Sequence, residues 1–66
     1  MIEYPGTVQE FNDMIFENFQ SWPDSHKRAF DEDLQEETSP KIKCLDGTWD
    51  YEVFTNDQRY KEWKKN

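Results

Sequence analysis

His26 and Cys44 are the single histidine and the single cysteine of the 66-residue chain, and with its carboxylates they are the groups most able to do chemistry. Ser25 precedes His26, but adjacent residues on a helix do not face each other, so no local Ser–His pair arises. His26 instead shares i, i+4 spacing with Phe30 and Leu34, which predicts a histidine in or at the edge of the core. Cys44 falls on the apolar side of a hairpin, and no cation is placed to lower its pKa. A buried, inert thiol is expected. One cysteine also rules out an intrachain disulfide and suits a reducing compartment.

Metal chemistry is poorly served. Zinc needs three or four Cys or His ligands, and one of each is present. Asp31-Glu32-Asp33 and the run Asp46-Gly47-Thr48-Trp49-Asp50-Tyr51-Glu52 both invite a calcium reading. Neither has the EF-hand order, because the first lacks a glycine at the sixth position and the second carries its glycine too early. Acid–base work by paired carboxylates needs a walled cleft and pKa values pushed apart. No catalytic residue, cofactor or metal is expected, and the chain reads as a non-enzyme.

What remains is the carboxylates as charge. Fifteen Asp and Glu against eight Lys and Arg leave −7 at neutral pH. Residues 1–37 hold ten acids and two bases, whereas residues 38–66 hold five acids and six bases. The whole excess therefore belongs to the first half. This balance disfavours direct contact with DNA or RNA, which relies on Lys and Arg, and disfavours an anionic membrane surface. No apolar run approaches the ~18 residues a membrane span needs, and no basic-then-apolar leader is read, so a cytoplasmic location is expected.

The acids are also arranged against ordinary helix preference. Glu32 with Glu36, and Asp33 with Glu37, are like charges four apart, each pair unfavourable by about 0.2–0.5 kcal/mol. Glu36 and Glu37 crowd the negative end of a helix. Glu10, Asp13 and Glu17 form a row with steps of roughly 4.5 and 6 Å at ~1.5 Å per residue. Duplex DNA carries one phosphate per ~3.4 Å on each strand, so carboxylate rows on two adjacent helices approach its charge density.

The elements that must position these groups can be read in turn. Leu, Ile, Val and Phe number only 12 of 66, but eleven aromatics can supply a core. Met1-Ile2-Glu3-Tyr4 alternates as a short edge strand, ended by Pro5-Gly6. Thr7-Val8-Gln9-Glu10 is a capping box opening a helix to about Gln20. At ~100° per residue Val8, Phe11, Ile15, Phe19 and Trp22 share one stripe, with Met14 and Phe16 on its flanks. Ser21-Trp22-Pro23-Asp24 opens a second helix with Ser21 as its cap, and it should stop before Thr38-Ser39-Pro40. The short connection predicts an antiparallel helical hairpin.

Asp46-Gly47 predicts a two-residue turn. It would pair Leu45 with Thr48, Cys44 with Trp49, Lys43 with Asp50, Ile42 with Tyr51 and Lys41 with Glu52. One face then holds Ile42, Cys44, Trp49, Tyr51 and Val53, and a one-residue slip would invert both faces. Thr55-Asn56-Asp57-Gln58 reads as a further capping box, opening a last helix to about Lys65 with Tyr60 and Trp63 inward. Residues 1–66 are thus expected to form a single compact α+β domain of order (β)ααββα. In it an N-terminal helical hairpin packs on a two- or three-stranded antiparallel sheet with a C-terminal helix.

These readings converge on function by binding. The expectation is a non-catalytic acidic inhibitor or regulator of a basic protein that normally binds DNA or RNA, such as a nuclease or polymerase, acting as a nucleic-acid mimic. Glu10, Asp13, Glu17, Asp31, Glu32 and Glu36 are the expected contact carboxylates, and Met14 and Phe16 the expected apolar anchors. Charge reversal at Glu10, Asp13 and Glu17 should abolish binding and spare the fold. In size and charge, though through no motif, the chain is similar to the small inhibitors that bacteriophages make against host nucleases or polymerases. The competing expectation is a protein–protein interaction module (an antitoxin, an assembly factor or a homodimer) using an apolar patch around Phe16 and Met14.

Overall fold

Thr7 opens the first helix as its spacing requires. Its hydroxyl accepts from the Glu10 amide at 3.1 Å, and the Glu10 carboxylate accepts from the Thr7 amide at 2.9 Å, closing the capping box. A computed structural model describes residues 2–36 and 41–65. It runs β1 (Ile2–Glu3), α1 (Val8–Phe19), α2 (Asp24–Glu36), β2 (Ile42–Cys44), β3 (Gly47–Trp49), α3 (Tyr51–Asn56) and α4 (Gln58–Lys64). The α+β class is the expected one, with one helix more. Expectations placed on Met1, on Glu37 and on the stop at Thr38-Ser39-Pro40 lie outside the described residues. Among the described residues no helix is long and apolar enough to cross a membrane.

The three-stranded sheet has the order β1-β2-β3 and is mixed rather than antiparallel throughout. β1 runs parallel to β2, with Ile2 opposite Ile42 and Glu3 opposite Lys43. The Tyr4 amide extends the pairing by donating to the Lys43 carbonyl at 2.8 Å. A parallel neighbour needs a long crossover, and α1 with α2 provides it.

β2 and β3 pair antiparallel, but two residues out of the expected register. Ile42 lies opposite Trp49, Lys43 opposite Thr48, and Cys44 opposite Gly47. The turn is therefore Leu45-Asp46, not Asp46-Gly47. Both turn residues are held from outside the hairpin. The Leu45 amide donates to the Gly6 carbonyl at 2.8 Å, and Asp46 Oδ1 accepts from the Val8 amide at 2.8 Å. Asp46 thus satisfies an orphan donor at the start of α1. An Asp-Gly turn of the expected kind would need positive φ at Asp46, and no described residue other than glycine has it. A shift of two preserves parity, so Ile42, Cys44 and Trp49 still face inward.

Beyond Trp49 the expected strand is a helix. Asp50 caps α3, its Oδ1 accepting from the Val53 amide at 3.2 Å, so the pairings Lys43–Asp50, Ile42–Tyr51 and Lys41–Glu52 do not form. The helix turns Phe54 wholly into the core, stacked on Phe16 with ring centroids 4.9 Å apart. The next helix starts at Gln58 because Asp57, not Thr55, is its cap; Asp57 Oδ1 accepts from the Arg59 amide at 2.8 Å. The Thr55 hydroxyl instead donates back to the Glu52 carbonyl. Ser21 behaves similarly, its hydroxyl donating to the Asn18 carbonyl at the end of α1 rather than capping α2.

One apolar cluster joins the elements, with Phe16, Phe19, Trp49 and Phe54 at its centre. The closest backbone packing is of α1 on β3 and of α3 on β3 and α4. α2 reaches the cluster through Leu34 and through Phe30, whose ring meets those of Phe19 and Phe54.

Candidate functional site

The expected carboxylates separate into those the fold engages internally and those it leaves outward. Arg59 decides the fate of the α1 row. From the first turn of α4 its Nη2 donates to Asp13 Oδ1 at 2.8 Å and to Asp57 Oδ2 at 2.9 Å, while Nε donates to Asp57 Oδ1 at 3.0 Å. Its guanidinium covers the Phe16 ring, 4.7 Å from the centroid. Asp57 Oδ2 also accepts from Asn12 Nδ2 at 2.8 Å, and Asn12 Oδ1 accepts from Trp49 Nε1 at 3.0 Å. A continuous polar chain therefore ties β3, α1 and α4 together. Hydrogen bonds from Arg59 hold the Asp13 and Asp57 carboxyls below the usual carboxylate range, and the same bonds, led by Asp57, raise the guanidinium further.

Glu10 is bound in the capping box and Asp13 in the ion pair, so Glu17 is the one member of the row left exposed without either role. The row is therefore not three carboxylates without internal partners. Glu10 and Asp13 each hold a contact of the fold, so their charge reversal is expected to cost stability as well as charge. Phe16 is likewise no exposed anchor: it is 0 % exposed. The core wraps onto that flank of α1 because Phe54 stacks on one side of the ring and Arg59 covers another. Met14, on the other flank, is 36 % exposed.

Asp31 is also internal, with 3 % of its surface exposed. Its Oδ1 accepts from the Tyr51 hydroxyl at 3.0 Å and from the Tyr60 hydroxyl at 3.1 Å, and Gln35 Nε2 donates to the Tyr51 oxygen at 2.8 Å. Its Oδ2 meets Lys64 Nζ at 3.5 Å. Burial, reinforced by the bond to Tyr51 and the charge on Asp31, pushes the Tyr60 hydroxyl well above the ordinary phenol range. Asp31 thus joins α2 to α3 and α4.

Glu32 and Glu36 remain outward on α2, and Asp33 joins them. Among the described residues none of the three has an ion pair. They form the acidic surface that the fold does not use. The residues that decide this sorting, Arg59, Asp57 and Lys64, carry no motif. The one available sign was helical phase, since Asp31 lies only about 60° from Leu34 on the α2 wheel.

His26 is exposed, its ring edge-on to Trp22 with centroids 4.4 Å apart. Of the two places its spacing suggested, it takes the edge, against Trp22, which itself packs on the core. Cys44 is buried as expected, its Sγ donating to the Ile42 carbonyl at 3.7 Å. Comparison of the chain with protein-family models, with curated proteins and with solved structures returned no match.

Proposed function

We propose that the protein is a non-catalytic inhibitor or regulator that binds a basic, nucleic-acid-handling protein through the outer face of α2. The observation that carries this reading is the division among the carboxylates. Asp13, Asp31 and Asp57 are held in internal ion pairs, and Glu10, Asp46 and Asp50 cap helices. Glu32, Asp33 and Glu36 do none of this and stand together on one helix.

Keeping them there is unfavourable. Glu32 and Glu36 repel at i, i+4, and Glu36 is the last residue of α2, at the negative end of its dipole. No basic residue in the last turn offsets it. Charge retained against local stability fits a surface used for association, where complementary potential speeds encounter and excludes wrong partners. A Lys- and Arg-lined cleft built for phosphates is the matching surface, and the −7 net charge keeps nucleic acid itself away. Glu17 on α1 adds to the same potential. The apolar-patch alternative loses support with the burial of Phe16.

The test is capture of a partner from lysate of the source cells, with elution by rising salt or by competing duplex DNA. A basic DNA- or RNA-binding protein released by both is the expected result. A partner indifferent to both overturns the reading.

A further inference from the structure

Resting on that reading, we infer that the groove between α2 and α4 is a receptor for an arginine side chain of the basic partner. The groove encloses about 330 Å³ and is lined by Asp24, Arg28, Asp31, Glu32 and Gln35 from α2 and by Trp63 and Lys64 from α4. Its buried carboxylate is that of Asp31. Asp31 Oδ1 takes both tyrosine hydroxyls, while Oδ2 is ion-paired with Lys64. What faces Oδ2 is Lys64 Nζ at 3.5 Å, beyond the ~2.7–2.9 Å of a charge-assisted bond.

Lys64 also lies 5.3 Å from the centroid of the Trp63 ring. The chain's own ammonium therefore occupies the place of a cation, over an aromatic wall and in a long ion pair with a buried carboxylate. Its side chain is 51 % exposed. The Trp63 indole is fixed by its Nε1–H donating to Asp24 Oδ1 at 3.2 Å, and Asp24 is in turn paired with Arg28 at 3.0 Å. Glu32, which also lines the groove, belongs to the acidic face of α2.

A guanidinium suits this arrangement better than an ammonium. It is planar, weakly hydrated, able to stack on an indole and to direct N–H groups at a carboxylate in the same pose. Arriving from a partner, it would displace Lys64, bond Asp31 Oδ2 and lie against Trp63, while Glu32, Asp33 and Glu36 supply the longer-range attraction.

N-acetyl-arginine methylamide is the probe, titrated into the ¹⁵N-labelled full chain with the Trp63 indole resonance followed by NMR. A saturable shift is expected, with binding about threefold tighter in Lys64→Met and about tenfold weaker in Asp31→Asn. N-acetyl-lysine methylamide should bind more weakly than the arginine compound. Should Asp31→Asn fail to fold, Lys64→Met decides alone, because Lys64 is half exposed and its replacement leaves Asp31 both tyrosine hydrogen bonds. An unmoved Trp63 indole, an unchanged affinity in Lys64→Met, or equal binding of the lysine compound overturns the inference. No partner protein enters this titration, so its failure leaves capture by the acidic face standing, and failure of capture leaves the groove's affinity measurable.

Discussion

Arg59 Nη2 lies 2.8 Å from Asp13 Oδ1, and that contact removes the middle carboxylate from the α1 row. The same guanidinium covers Phe16 and grips Asp57, so one side chain converts an apparent binding strip into a joint between α1 and α4. Replacing Arg59 by Ala leaves Asp57 without its cation and uncovers Phe16. A loss of about 1–3 kcal/mol is expected in urea unfolding, with Arg59→Lys recovering part of it.

Acid should weaken the fold through the same joint. Asp13 and Asp57 have lowered pKa values in the folded state, so the unfolded chain binds protons first as pH falls. Their contribution is present above the unfolded carboxyl value of 3.8 and is lost as pH drops through the lower folded values. Melting temperature should therefore decline below about pH 4 on this account, and Asp57→Asn should flatten that decline.

The alkaline limb has the opposite sign and a different origin. The Tyr60 hydroxyl is raised from its ordinary value of 10.0 by burial, then by Tyr51 and Asp31. Its contribution is complete below pH 10.0 and disappears as the unfolded phenol ionises above it. Absorbance at 295 nm should show one tyrosine that ionises only with unfolding. In Tyr60→Phe that late component should vanish.

Gly6 tests the tertiary contact that moved the hairpin register. Its carbonyl accepts from Leu45, and a Cβ built there would fall 2.6 Å from Tyr4 Cε2 and 3.0 Å from Glu10 Oε1. Gly6→Ala must displace the Tyr4 ring, which packs edge-on against Phe11, and disturb the capping box. A loss of about 1–3 kcal/mol in thermal or urea unfolding is expected.

Much of the fold was legible where one local signal had no rival. The capping box at Thr7 and Glu10, the inward set of Ile42, Cys44 and Trp49, and the inward Tyr60 and Trp63 are all present. The misreadings come from aspartates that had two possible uses. Asp46 could shape a turn or cap α1, and Asp50 could pair in a strand or cap α3; in both cases a backbone amide elsewhere took the carboxylate. Tyr51-Glu52-Val53-Phe54 fits either period over so short a run, so only its cap distinguishes helix from strand. The candidate site was harder to read for the same reason. Charge sign is visible in a sequence, but whether Asp13 is free depends on Arg59, 46 positions away.

Neutralising the α2 face should make the protein more stable. Glu32→Gln with Glu36→Gln removes an i, i+4 repulsion and an acid at the negative helix end. A gain of a few tenths of a kcal/mol is expected, read as a small rise in melting temperature.

The most direct test of the acidic-face account pairs that change with its effect on association. Glu32→Gln, Asp33→Asn and Glu36→Gln are combined in one variant, and its affinity for the captured partner is measured by calorimetry at low and high salt beside the native chain. The expected result is a folded variant that binds at least about tenfold more weakly at low salt and has lost most of its salt dependence. A variant that binds as tightly as the native chain, with the same salt dependence, would contradict it.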